Sequence, residues 1–132
     1  MSCCWPQEPM PVSWRYEYGL LVITSSAAYD LEEAKQSTAA GIADPRFQPG
    51  TAILFDSSAS TAAIEPADIE ERVAWLIQVS RRAVSRFAVV VGAETHRYGL
   101  ARMLSTRLEL AGVELGVFRS FEAARAWLSP RP

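Results

Sequence analysis

Between Arg86 and Leu128 the chain states one phrase twice: a short apolar run, a polar turn, then a segment with apolar residues at helical spacing. The first pass runs Phe87 to Val91, a turn, then Arg97 to Ala111; the second runs Val113 to Phe118, a turn, then Phe121 to Leu128. Strands that alternate with helices predict a parallel sheet, because parallel neighbours need a long crossover and a helix is the usual one. The phrase settles the architecture and leaves the chemistry open.

Upstream, Val12 to Tyr18 alternates, with Val12, Trp14, Tyr16 and Tyr18 on one face and Ser13, Arg15 and Glu17 on the other. Gly19 then permits a tight reversal into the apolar run Leu20 to Thr24, which predicts an antiparallel hairpin. Asp30 and Glu33 form a capping pair for a first helix with Leu31, Ala34, Thr38 and Ile42 on its buried stripe, closed by Asp44-Pro45. Pro49-Gly50 precedes a third strand, Thr51 to Phe55, ending at Asp56. A loop from Ser57 to Ile64 leads to Pro66, suited to the first turn of a second helix because it has no N–H to leave unpaired. Ile69, Val73, Leu76, Ile77 and Ser80 share one face of that helix. Leu100, Leu104, Leu108 and Ala111 mark the third, which Gly112 ends. Ser120 caps the fourth, whose Phe121, Ala124, Trp127 and Leu128 point inward.

The expected fold is a single α/β domain: a five-stranded mixed sheet, with an antiparallel N-terminal hairpin followed by parallel strands, and four helices. Strands one and five alternate in polarity and suit the edges; the middle strands are continuous apolar runs and suit the centre. Sequential right-handed crossovers place every crossover helix on one face, whereas the middle strands read as covered on both. The spacing alone does not reconcile the two.

A length of 132 residues fits one domain, with residues 1–11 expected as a disordered tail and 12–129 as the folded unit. Hydrophobic residues make up 49% and the net charge is −2, the balance of an ordinary globular protein rather than a polyanion binder. Twelve of the thirteen basic residues are Arg, but they alternate with Asp and Glu and form no block, so nucleic acid is not an expected partner. Cys3 and Cys4 are adjacent and cannot build a disulfide framework, nor a metal centre with the single histidine, His96. No metal or cofactor is expected, and without a membrane span or signal peptide the expected location is the cytoplasm.

In parallel sheets ligands gather at the C-terminal ends of strands. Asp56 with Ser57 or Ser58, and His96, have the composition of a hydrolytic triad, although the G-x-S-x-G turn that projects such a serine is missing. Around the start of the third helix, Asp56, Thr95, His96, Arg97 and Tyr98 frame a candidate anion or ligand site, with main-chain N–H groups as donors. Ser57 and Ser58 fall in the expected loop, where phosphorylation would add charge and repel a partner. On the second helix, Arg72, Trp75 and Val79 lie outside the predicted stripe and make a candidate interaction surface for a protein partner. An apolar-ligand pocket is the alternative, expected near Trp14, Tyr16 and Tyr98. Oligomeric state is not encoded in any of these features.

Several segments carry a resemblance: Tyr29-Asp30-Leu31-Glu32-Glu33, Asp44-Pro45-Arg46-Phe47, Ile53-Leu54-Phe55-Asp56, Tyr98-Gly99-Leu100-Ala101-Arg102-Met103, Val117 to Ala124, and Ala126-Trp127-Leu128. In this order and spacing the chain resembles the SpoIIAA-like family of small bacterial proteins, with the STAS fold of the anti-sigma factor antagonists. The resemblance implies a non-catalytic regulatory or ligand-binding module, and a likeness to the CRAL-TRIO lipid-transfer fold that suggests an apolar ligand. The antagonists carry a phosphorylated serine in a D-S-S-G motif at the start of the second helix. Asp56-Ser57-Ser58-Ala59 is similar but sits at the third strand, and the equivalent position here is Glu65 or Pro66.

Overall fold

The computed structural model describes residues 11–61, 64–82 and 84–129. Strands β1 (Val12–Glu17) and β2 (Leu20–Ala27) form the antiparallel hairpin. Its two turn residues, Tyr18 and Gly19, have φ of 56° and 74°, the consecutive left-handed pair that matches a two-residue turn to strand twist. There follow α1 (Leu31–Ala43), β3 (Ile53–Ser60), a 3-10 turn (Pro66–Asp68), α2 (Ile69–Ser80), β4 (Phe87–Val90), α3 (Thr95–Leu110), β5 (Leu115–Phe118) and α4 (Phe121–Leu128). The strands lie in chain order, with β2 to β5 parallel. Residues 1–10, the bulk of the expected tail, lie outside the described residues; Pro11 is tied to the sheet by a bond from the Ser26 N–H to its carbonyl at 2.7 Å.

Register places apolar residues in rows across the sheet. Tyr16, Leu21, Ile53, Phe87 and Leu115 stand in one row, and Trp14, Ile23, Phe55, Val89 and Val117 in another on the same face. This face packs against α1, α2 and α3 in the main core. The intervening row, Arg15, Val22, Leu54, Ala88 and Gly116, points the other way, where Ala124 and Leu128 of α4 cover its apolar part. The conflict over covered faces is thereby resolved. Three crossover helices share one face as handedness requires, while α4 follows the last strand of the sheet, is not a crossover between strands, and folds back under it. Gly116 makes that return fit: a Cβ there would lie 2.9 Å from the Trp127 ring and 2.7 Å from that of Phe118.

Local signals held at the helix ends. Asp30 and Glu33 form a reciprocal capping box, Ser120 caps α4 through the Ala123 N–H, and Gly112 takes φ of 79° beyond α3. α3 starts at Thr95, two residues ahead of the expected Arg97, and its cap is Glu94, whose carboxylate accepts the His96 N–H. β3 is also corrected. It continues through Ser57 to Ser60 beside an equally extended β2, and the segment expected as an exposed loop is strand. Thr24 pairs with Asp56 and Ser26 with Ala59, so Ser57 and Ser58 together oppose Ser25 in a β-bulge. Hydroxyl side chains satisfy backbone groups there, which lets a polar segment remain extended: Ser57 donates to the Val90 carbonyl at 2.9 Å and Ser60 to that of Ala27 at 3.2 Å.

Candidate ligand site between the sheet and the second helix

The buried arc of α2 consists of Ile69, Val73, Leu76 and Val79. It is rotated from the expected stripe, with Ile77 and Ser80 only half-buried and Val79 turned in at 7% exposure. Of the three residues expected as an interaction surface, Val79 is thus buried, while Arg72 and Trp75 are half-buried. The cause is tertiary. α1 packs over β1 and β2, and α2 lies alongside α3, which packs on β5, so the centre of the sheet needs a long side chain to reach it. Trp75 supplies it, meeting the Phe55 ring edge-on at 5.8 Å between centroids, and Phe55 stacks on Phe87 at 6.0 Å.

Beneath Trp75 lies a narrow crevice of about 60 Å³. Phe55, Val89, Leu115 and Leu104 supply apolar wall, and Ser25, Ser57, Tyr29 and Arg72 supply polar groups. The Arg72 guanidinium stands 5.9 Å from the Tyr29 ring centroid, and its Nη1 reaches the Tyr29 hydroxyl at 3.4 Å. Its Nε–H is buried and meets no acceptor among the described residues. Between Ser25 and Tyr29 in the chain, Ala27 is a non-glycine residue at φ of 53°, its carbonyl accepting bonds from the Thr61 N–H and the Ser60 hydroxyl. Sequence reasoning missed Ser25, Tyr29, Phe55 and Leu104 as a group. A polar residue ending the apolar β2 run and an aromatic in the strand beside it were the available signals, but only register puts them on one face.

The ends of β3 and β4 border a separate, more open groove of about 560 Å³, lined by Ser58, Glu65, Glu94, His96 and Arg97 among others. Here the structure brings together only part of the expected anion site. Arg97 donates to the Ser60 carbonyl, while Thr95 and His96 are exposed. Asp56 belongs to the opposite sheet face, in the row of Thr24, Val90 and Phe118, and accepts from the Ser58 N–H and hydroxyl at 3.1 and 2.7 Å. Tyr98 turns to Arg119, whose guanidinium lies 4.2 Å from its ring centroid. Glu94 brings a carboxylate to the helix start, which repels an incoming anion. The triad arrangement also comes apart: the Ser57 hydroxyl is buried on Val90, Ser58 donates to Asp56, and neither has a hydrogen bond to His96. Ser57, at 7% exposure, is inaccessible to a modifying enzyme, so of the two candidate phosphorylation sites Ser58 alone is exposed. The helix start after β3 is Glu65-Pro66, with no hydroxyl at that position.

Trp14 and Tyr16 serve a different purpose from the expected pocket. They belong to the β1 edge, whereas Tyr98 stands beside β5 at the other edge, so the three cannot line one cavity. Tyr16 donates to the Gly41 carbonyl at 2.8 Å, and Arg46 covers its ring at 4.8 Å and that of Trp14 at 5.9 Å. Burial and the neighbouring Asp44 charge raise the Tyr16 pKa. Hydrogen bonds from Arg46 hold the Asp44 carboxyl below its usual range. Among the described residues no three His, Cys, Asp or Glu side chains converge as metal ligands, and no helix is long and apolar enough to cross a membrane.

A hairpin and a helix followed by three strand–helix units in chain order, with the last helix tucked under the sheet, make a single α/β domain with a SpoIIAA-like fold. No protein-family model matches the chain, and no curated protein does. Among solved structures the chain is similar to an uncharacterised protein of the DUF3478 family with a SpoIIAA-like fold from Shewanella loihica PV-4. The two superpose with a TM-score of 0.57 at 16% identity, over 89% of this chain and 91% of the other. That likeness extends to the fold.

Proposed function

We propose that this chain is a non-catalytic, cytoplasmic STAS-type module that works by binding a small, largely apolar molecule in the crevice under α2. One observation carries the reading: Trp75, the residue that made α2 an attractive protein-docking surface, is turned inward and roofs an aromatic-lined crevice against Phe55. Pockets for small molecules combine apolar walls with a few converging polar groups, and Tyr29, Ser25 and Arg72 are such groups. Native mass spectrometry of gently purified protein is expected to show a bound small molecule. Leu104→Phe, which fills the crevice, is expected to abolish that added mass without lowering the melting temperature. A clean unliganded mass from several expression hosts overturns the reading.

Docking of a protein partner along α2 is the second reading. A groove of about 260 Å³ between α1 and α2, bordered by Lys35, Ile42, Trp75 and Val79, favours it. Under this reading Gln78→Arg and Arg82→Glu on the groove rim weaken partner capture, while Leu104→Phe leaves it intact.

A further inference from the structure

We propose that the molecule held in the crevice carries a small anionic head, a carboxylate, seated on Arg72. The inference rests on the reading of the crevice as a ligand pocket and adds the chemical class of the ligand. A guanidinium stays charged at any physiological pH and offers five N–H groups in a planar fork suited to carboxylates. Arg15, Arg46, Arg86 and Arg107 each meet a carboxylate partner, whereas Arg72 has none among the described residues. Among the described residues its side chain makes one hydrogen bond, a long one to the Tyr29 hydroxyl, and its Nε–H is buried with no acceptor. The side chain as a whole is half-buried, but an N–H that is buried and unmatched costs free energy, and an acceptor supplied by a ligand restores the balance.

The rest of the lining agrees. The other polar groups are the hydroxyls of Ser25, Ser57 and Tyr29, which can donate to a carboxylate or accept from a donor but bring no negative charge. Ser57 already gives its proton to Val90, leaving Tyr29 and Ser25 as helpers. Arg97 also has a buried Nε–H without an acceptor, but it faces a groove bordered by Glu65 and Glu94, where an anion is repelled. The crevice beside Arg72 contains one cation and no acid. Roughly 10–15 Å³ of such space accepts one water; the space of about 60 Å³ then suits a head group and a few carbons. A short-chain monocarboxylate, or the acid end of a longer chain emerging past Tyr29, has this shape.

The test titrates the unmodified protein with sodium butanoate and, separately, with 1-butanol at matched ionic strength, following the Trp75 indole resonance assigned by its loss in Trp75→Phe. Butanoate is expected to bind about tenfold more tightly than butanol, the advantage of one charge-assisted hydrogen-bond pair. Arg72→Gln is expected to erase that preference, with Arg72→Lys, which keeps charge but loses the Nε–H, in between. Equal binding of the two probes, or tighter binding of butanol, overturns the anionic head and leaves the pocket standing. Silence of the Trp75 resonance with both probes overturns the head and the pocket together. The comparison on the unmodified protein does not depend on whether either Arg72 variant folds.

Discussion

The two ends of one sheet face are built to different standards. Over β1 and β2, α1 starts with a complete capping box, Tyr16 reaches the Gly41 carbonyl, and Gly41 lets the helix come so close that a Cβ would lie 2.6 Å from a Leu21 methyl. Over β3 and β4, α2 begins in a 3-10 turn in which the Asp68 carboxylate accepts the Glu65 N–H at 2.9 Å, and it stands off behind Trp75 with the Arg72 Nε–H unmatched. One end is closed by direct helix-on-sheet packing, the other by a single large ring over a crevice. A fold that needs only one end closed to hold its sheet can keep the other for binding.

The largest expected contrast comes from the same truncation at each end. Leu21→Ala removes a side chain with no exposure and should cost about 3–5 kcal/mol in urea unfolding. Leu104→Ala beside the crevice, where the side chain is only half-buried, should cost about 1–2 kcal/mol. Equal losses would erase the distinction. Polar substitutions should then differ in sign. Tyr16→Phe leaves the Gly41 carbonyl without its donor and should lower stability by about 1 kcal/mol, whereas Arg72→Met removes an unmatched donor and should leave stability unchanged or raise it. A loss at Arg72 equal to that at Tyr16 would show that the guanidinium is structurally satisfied.

A smaller effect concerns the backbone at the end of β2. Ala27→Gly relieves a left-handed alanine and should raise stability by up to about 1 kcal/mol, read as a higher melting temperature. The smallest is the acid response of the closed end. Because the folded Asp44 carboxyl sits below its usual range, its contribution is complete above the unfolded value, about pH 3.9, and is lost as pH falls through the lower folded value. Asp44→Asn should flatten that part of the stability profile. An unchanged profile would show that the Asp44–Arg46 pair adds nothing to the closed end.

Much of the fold was legible because it rests on local rules. The Asp30/Glu33 box, the Ser120 cap, the Gly112 stop and the repeated strand–helix phrase each follow from a few neighbouring residues, and each is found in place. The polar stretch from Ser57 to Ser60 was misread because its extended form depends on partners far along the chain: the Val90 carbonyl for Ser57 and the Ala27 carbonyl for Ser60. The helical stripe of α2 was misplaced for a similar reason. A hydrophobic period shows that one face is buried but not how wide the gap beneath it is, and here the gap drew in Trp75 and Val79.

The sequence by itself determined the order of strands and helices, the hairpin at the start and the parallel run after it, since caps, turn residues and apolar periods act over a few positions. Only the tertiary structure decided that α4 returns under the sheet, that Asp56 and Arg97 face different sides, and that Trp75 roofs a crevice with Arg72 at its rim. Those outcomes turn on register, which moves a side chain to the opposite face with each single step, and on the spacing between helices, which no local pattern records.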